Sequence, residues 1–116
     1  MELAELIEDE IFVPKKMARK LRTTQSEIAA TIGFSRDAFA RKDRLRSVRT
    51  QTRLREMLEI LNRVEKFTGS ALAAYAWMRS EPIIGFGGQT AEQLIQKGRA
   101  NHVRRYLDHV AAGGYA

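Results

Sequence analysis

The sequence predicts an all-α protein, on three observations. No segment alternates apolar and polar residues convincingly over the length of a strand. Two Thr-x-x-Glu/Gln boxes, "TQSE" and "TAEQ", stand directly before apolar-periodic stretches, as helix starts do. From Thr52 to Phe67, Leu54, Met57, Leu58, Leu61, Val64 and Phe67 recur at helical spacing.

Taken in order, Leu3, Leu6 and Ile7 have helical spacing, so residues 2–10 are expected to form a short acidic helix. Pro14 suits the first turn of the next helix, where its missing N–H is not needed, and Met17 and Leu21 then face inward. In "TTQSEIAATIG", Thr24 and Glu27 form a capping box, Ile28, Ala29 and Ile32 the buried stripe, and Gly33 the stop. Ser35 is expected to cap a following helix, "SRDAFARK", with Asp37 near its positive end. Along 52–67, Arg55, Glu59 and Arg63 are placed on the outer face in i,i+4 order. Gly69 ends that helix. Ser70 starts another over 71–79, apolar nearly all round, with Leu72, Tyr75, Ala76 and Trp77. "EPIIGFGGQT" reads as a loop. Thr90 and Gln93 then open a helix over 91–97, closed by Gly98, and the last helix runs from about Asn101 to Ala112 with Val103, Tyr106, Leu107 and Val110 inward.

A chain of 116 residues suits one domain or two small helical lobes sharing a core. The expected division is an acidic segment at 1–14, a helix-turn-helix region at 15–68 and a helical C-terminal domain at 69–116. Lacking cysteine, the chain has no disulfides and no thiolate-zinc site. With neither a secretory pattern nor an apolar run near the ~20 residues of a membrane helix, the expectation is a cytoplasmic protein that does not enter a membrane.

The net charge of +6 is unevenly spread. Residues 1–14 carry five acids and no base, whereas residues 15–66 hold 15 bases against six acids. Such clustering fits a polyanion partner, through release of condensed counterions, and equally a solvated helix face. The layout of 15–42 tips the balance: helix, capped helix, turn at Gly33-Phe34, capped helix. In a helix-turn-helix of this order the last helix enters the major groove by its N-terminal residues. The candidate DNA-contacting set is Gln25, Ser35, Arg36, Asp37 and Arg41, with Lys42, Arg44, Arg46 and Arg49 on phosphates from the following loop. Ala38 can touch a thymine methyl, and Phe39 packs inward. Asp37 repels phosphate unless it accepts from a cytosine amino group. The acidic start either folds back on the basic 41–55 region or is disordered.

Other chemistries lack their parts. "GFGGQT" has no GK[ST] ending and no preceding strand, so its glycines serve a sharp turn rather than a nucleotide phosphate. His102 and His109 have neither cysteines nor an acid pair with which to complete a metal site. Ser70, Ser80 and Tyr115 have no activating partner. Neither catalysis nor a cofactor is expected. Trp77, with Tyr75 and Met78, belongs either to the core or to a protein-binding surface.

The stretch "EPIIGFGGQTAEQLIQKGRANHVRRYLDHVAAGGYA" closely resembles the antitoxin Xre/MbcA/ParS-like toxin-binding domain. The pattern is Pro82, Gly87-Gly88, Thr90, Gly98-Arg99, the amphipathic helix Val103 to Val110, and the Gly113 to Ala116 end. It departs from the family at Phe86, where many relatives carry leucine, at Ala91, where many carry proline, and at Gln89, where a basic residue is common. The region before it resembles the Xre-type helix-turn-helix that usually precedes this domain. The resemblance implies a type II antitoxin whose partner is a RES-domain toxin, an NAD-degrading enzyme, with a homodimer formed through the N-terminal half and repression of its own operon at operator DNA. It also implies that toxin binding falls to Trp77, Phe86, Gly87, Gly88, Arg99, Gly113, Gly114, Tyr115 and Ala116, with the tail at or near the toxin's active-site cleft. Tyr115 would there offer an aromatic ring beside a terminal carboxylate, as an anionic dinucleotide site welcomes. The alternative is a stand-alone helix-turn-helix regulator whose C-terminal lobe only dimerises.

Overall fold

The computed structural model describes residues 1–113. Its helices are α1 (Pro14–Lys20), α2 (Gln25–Thr31), α3 (Lys42–Leu45), α4 (Val48–Thr68), α5 (Ala71–Ser80), α6 (Ala91–Gln96) and α7 (Ala100–Ala111). The all-α expectation holds, with one small exception at the N-terminus.

That exception replaces the acidic helix expected over 2–10. Leu3–Leu6 is a single 3-10 turn, after which β1 (Ile7–Glu8) pairs antiparallel with β2 (Ile11–Phe12). Asp9 and Glu10 make the connection, both at positive φ (52° and 67°), which is the geometry of a type I′ hairpin turn. The ladder is held by a residue far along the chain. The Phe12 N–H donates to Gln51 Oε1 at 2.8 Å, and Gln51 Nε2 donates to the carbonyls of Phe12 (3.2 Å) and Leu45 (3.0 Å). Phe12 itself is buried, and the Arg55 guanidinium lies 5.5 Å from its ring centroid.

α4 is the axis of the molecule. Ser47 caps it through the Thr50 N–H (3.2 Å), and Gly69 ends it at φ +93°. Leu54, Met57, Leu58, Ile60, Leu61 and Val64 are all fully buried. They join Met17, Ile28 and Ile32 from the N-terminal half and Met78, Leu94, Ile95 and Val103 from the C-terminal half in one continuous core. Phe67, expected on this stripe, is instead half-exposed, because among the described residues Trp77 and α7 cover it only in part. Arg63 and Glu59 do not pair along α4 with Arg55. Arg63 binds Asp108 (2.8 Å) and Glu59 meets Arg104 (3.6 Å), both on α7, so these charges stitch two helices together.

The first capping box closes only by half. Thr24 accepts from the Glu27 N–H at 3.1 Å, but the Glu27 carboxylate takes Arg79 at 2.6 Å instead of returning to the cap. The second closes fully, Thr90 and Gln93 bonding reciprocally at 3.2 and 2.9 Å.

A buried polar knot joins α2 to α5 and α6. Thr31 Oγ1 lies 2.8 Å from Tyr75 Oη, 2.8 Å from Glu92 Oε2 and 3.0 Å from the Glu27 carbonyl. Thr31 has one proton and two acceptor-only neighbours, so the Tyr75 hydroxyl is the donor of its pair. Burial pushes the Tyr75 hydroxyl above its ordinary pKa of 10.0; the Thr31 hydrogen bond and the Arg79 guanidinium oppose this and the Glu92 and Glu27 carboxylates support it, with a net rise. The unfolded chain therefore loses this proton first as pH rises past 10.0, and folding stability contributed by Tyr75 is present below that value and lost above it. The melting-temperature advantage of the wild type over Tyr75→Phe is expected to be constant from pH 7 to 9 and to shrink at higher pH. An advantage that grows in that range contradicts the assignment of Tyr75 as donor.

Candidate functional site

Two surfaces have the character of binding faces, one basic and one apolar.

The basic face starts where the structure departs from the expected recognition helix. Ser35 makes no capping hydrogen bond, and Arg36–Phe39 is one 3-10 turn rather than the start of a longer helix. Arg41 is extended (φ −123°, ψ 143°), and the chain then makes the single turn of α3. The stretch expected as a loop is thus α3 followed by the first turn of α4. Phe34 anchors this arrangement to α4. Its ring lies under two guanidinium groups of α4, Arg49 at 4.1 Å and Arg53 at 5.3 Å, and Arg53 also donates to the Ile32 carbonyl at 2.8 Å.

Ser35, Arg36, Asp37, Arg41, Lys42, Arg44, Arg46 and Arg49 are all exposed here, while Gln25, Ala38 and Phe39 are half-buried. None of the six cations has an ion-pair partner among the described residues, in contrast to Arg63, Arg79 and Arg104 in the C-terminal half.

The apolar face belongs to the C-terminal half. Phe67 is 50% exposed at the end of α4 and meets the half-buried Trp77 of α5 edge-to-face, with centroids 5.8 Å apart at 83°. Phe67 also lines an open groove of about 330 Å³ with Leu107, Val110 and Ala111 of α7, rimmed by Arg63 and Lys66. Val110, expected inward, is therefore part of a surface. Of the residues implied in toxin binding, Trp77 and Gly113 (φ +85°) lie toward this end of α7.

Phe86, Gly87, Gly88 and Arg99 gather at the other end. The Ile83 N–H donates to the Gln89 carbonyl at 2.8 Å, closing the loop before α6. The Phe86 ring stands edge-on to His102 of α7 (5.1 Å, 70°), and Ile84 beside it is 70% exposed. A helix of this length spans ~18 Å at 1.5 Å per residue, which separates the two groups. Gly114, Tyr115 and Ala116 lie outside the described residues. Sequence reasoning missed Phe67 and Ile84; the signal available for Phe67 was its place two residues before the helix-ending Gly69.

Among the described residues, no group of three His, Cys, Asp or Glu side chains could hold a metal ion. No helix is long and apolar enough to cross a membrane. Residues 64–113 match the family model of the antitoxin Xre/MbcA/ParS C-terminal toxin-binding domain. The matched stretch, a little under half of the chain, runs from the last turn of α4 to the end of α7 and so takes in the whole apolar face. Neither the curated proteins nor the solved structures contain a match to the chain.

Proposed function

We propose that this chain is the antitoxin of a type II toxin–antitoxin pair, neutralising its toxin through the C-terminal half and binding operator DNA through the basic face. The observation that carries the first part is the coincidence of the toxin-binding family match over 64–113 with the apolar face of Phe67, Trp77 and the α7 groove. Aromatic residues at an incompletely buried surface are what protein partners use as anchors. The resemblance of the C-terminal sequence supports a RES-domain, NAD-degrading toxin as that partner. It likewise supports a tail at the toxin's active-site cleft and a homodimer through the N-terminal half. The role is binding, without catalysis.

The chain, tagged at its N-terminus and co-expressed with the untagged product of the adjoining reading frame, should pull that product down in stoichiometric amount. Recovery of the tagged chain alone, folded, contradicts the proposal.

The DNA reading rests on the six exposed cations at residues 36–49. Arg36→Ala is expected to weaken binding to specific sites and relax sequence preference. Lys42→Ala should weaken binding to every duplex and reduce the salt slope by about one. Gel-shift titrations at several salt concentrations distinguish the two, and unchanged affinity for both variants removes this face from the account.

A further inference from the structure

The acidic N-terminal hairpin is set against the basic face, and its construction is unusual. A two-residue turn with both φ positive ordinarily has Asn, Asp or Gly first and glycine second, whereas here glutamate follows Asp9 as Glu10. Holding a glutamate in the left-handed region costs about 1–2 kcal/mol. Strain of this kind persists where the surroundings over-determine it, and the surroundings here are explicit. The Gln51 amide bonds Phe12 of the hairpin on one side and Leu45 of α3 on the other. One side chain fixes both the acidic element and the basic one.

Between them lies a small hollow of about 130 Å³, with Glu8, Asp9, Ile11 and Val13 on the hairpin side and Lys42, Leu45 and Arg46 opposite. Glu8 pairs with Lys16 at 3.5 Å, and no hairpin carboxylate forms an ion pair with Lys42 or Arg46. The two cations therefore keep their capacity to contact phosphate. They do so across one small hollow from the Glu8 and Asp9 carboxylates, where the repulsion is set by the ~8–10 Å Debye length of ordinary buffers and fades as salt shortens it.

We infer that the hairpin is a built-in electrostatic brake: Glu8 and Asp9, held across the hollow from Lys42 and Arg46, lower the affinity of the basic face for non-specific polyanions. The inference rests on the reading of residues 36–49 as a polyanion-binding face. A polyanion that approaches only through its charge meets this repulsion at the α3 edge. One that makes further contacts elsewhere on the face has them to offset it. The brake thus suppresses non-specific binding more than specific binding.

Heparin serves as the test polyanion, because it reads the basic face whether or not DNA is the natural ligand. The variant E8Q/D9N keeps the shape of the turn, since asparagine tolerates the left-handed region, and thermal melting checks that it folds. It should elute from immobilised heparin at higher salt than wild type and bind about two- to fivefold tighter at low salt, with the difference fading as salt screens it. The control E2Q/E81Q removes equal charge from exposed carboxylates that form no ion pair among the described residues. Glu2 follows Met1, whose ammonium pairs with Glu65 at the far end of α4 from Gln51. This control should elute close to wild type. In a K42A/R46A background the hairpin substitutions should produce no gain. Elution of E8Q/D9N with wild type, an equal shift in the control, or a gain that survives K42A/R46A each overturns the inference. If the heparin shift occurs while no duplex DNA is bound, the brake stands and the DNA reading falls.

Discussion

Gly33→Ala is expected to destabilise the protein by about 2–4 kcal/mol, the sum of a left-handed alanine and an overpacked contact. Gly33 ends α2 at φ +81°, and a Cβ there would sit 2.7 Å from the Gln96 carbonyl oxygen and 2.9 Å from its Cα. Both are backbone atoms of α6, and Gln96 is itself bound through Nε2 to the Ala30 carbonyl at 2.8 Å. Neither side can give way without loosening the joint between the N-terminal and C-terminal halves. For a domain of this size the melting temperature should fall by roughly 10 °C. Gly85 supplies the comparison. It has φ +91° with nothing within 4 Å of a built Cβ, so Gly85→Ala should cost only about 1–2 kcal/mol. Equal losses from the two substitutions, measured by denaturant unfolding, would mean that the approach of α2 to α6 does not constrain the fold.

Replacing both Phe67 and Trp77 with alanine is expected to weaken binding of the toxin partner about a hundredfold or more, the scale of losing two aromatic anchors at an interface. The edge-to-face pair is worth only about 0.5–1.5 kcal/mol beyond the area it buries. With Phe67 already half in solvent, the cost to folding should be far smaller than the cost to binding. Titration of the purified partner by calorimetry, set beside thermal melts of the two free chains, separates these effects. A fall in stability with partner affinity retained would return both rings to the core.

Much of this architecture was legible because its signals are local. Thr90 and Gln93 satisfy each other, Gly69 and Gly98 stop helices at positive φ, and Pro14 opens one, all within a few residues of chain. What failed depended on distant partners. The spacing of Leu3, Leu6 and Ile7 fits a helix, but Phe12 is bonded to Gln51, 39 residues away, and the ladder wins. Glu27 reads as the second half of a capping box, yet Arg79 from α5 offers a full charge at 2.6 Å. "SRDAFARK" reads as a helix, whereas the chain around it is set by Phe34 beneath Arg49 and Arg53. Of the two faces, the basic one was visible as charge density alone. The apolar one was visible in part, since Trp77 reads as either core or binding surface, whereas Phe67 shares the spacing of the core leucines and reads as buried.

The central claim is that this chain neutralises a toxin through its C-terminal half. Its most direct measurement is growth, with cellular NAD content followed in parallel, in cells expressing the adjoining gene product alone, with this chain, or with the F67A/W77A variant. The account predicts arrested growth and falling NAD with the partner alone, full rescue by the wild-type chain, and no rescue by a variant that still folds. Rescue by neither chain, or equally by both, would contradict it.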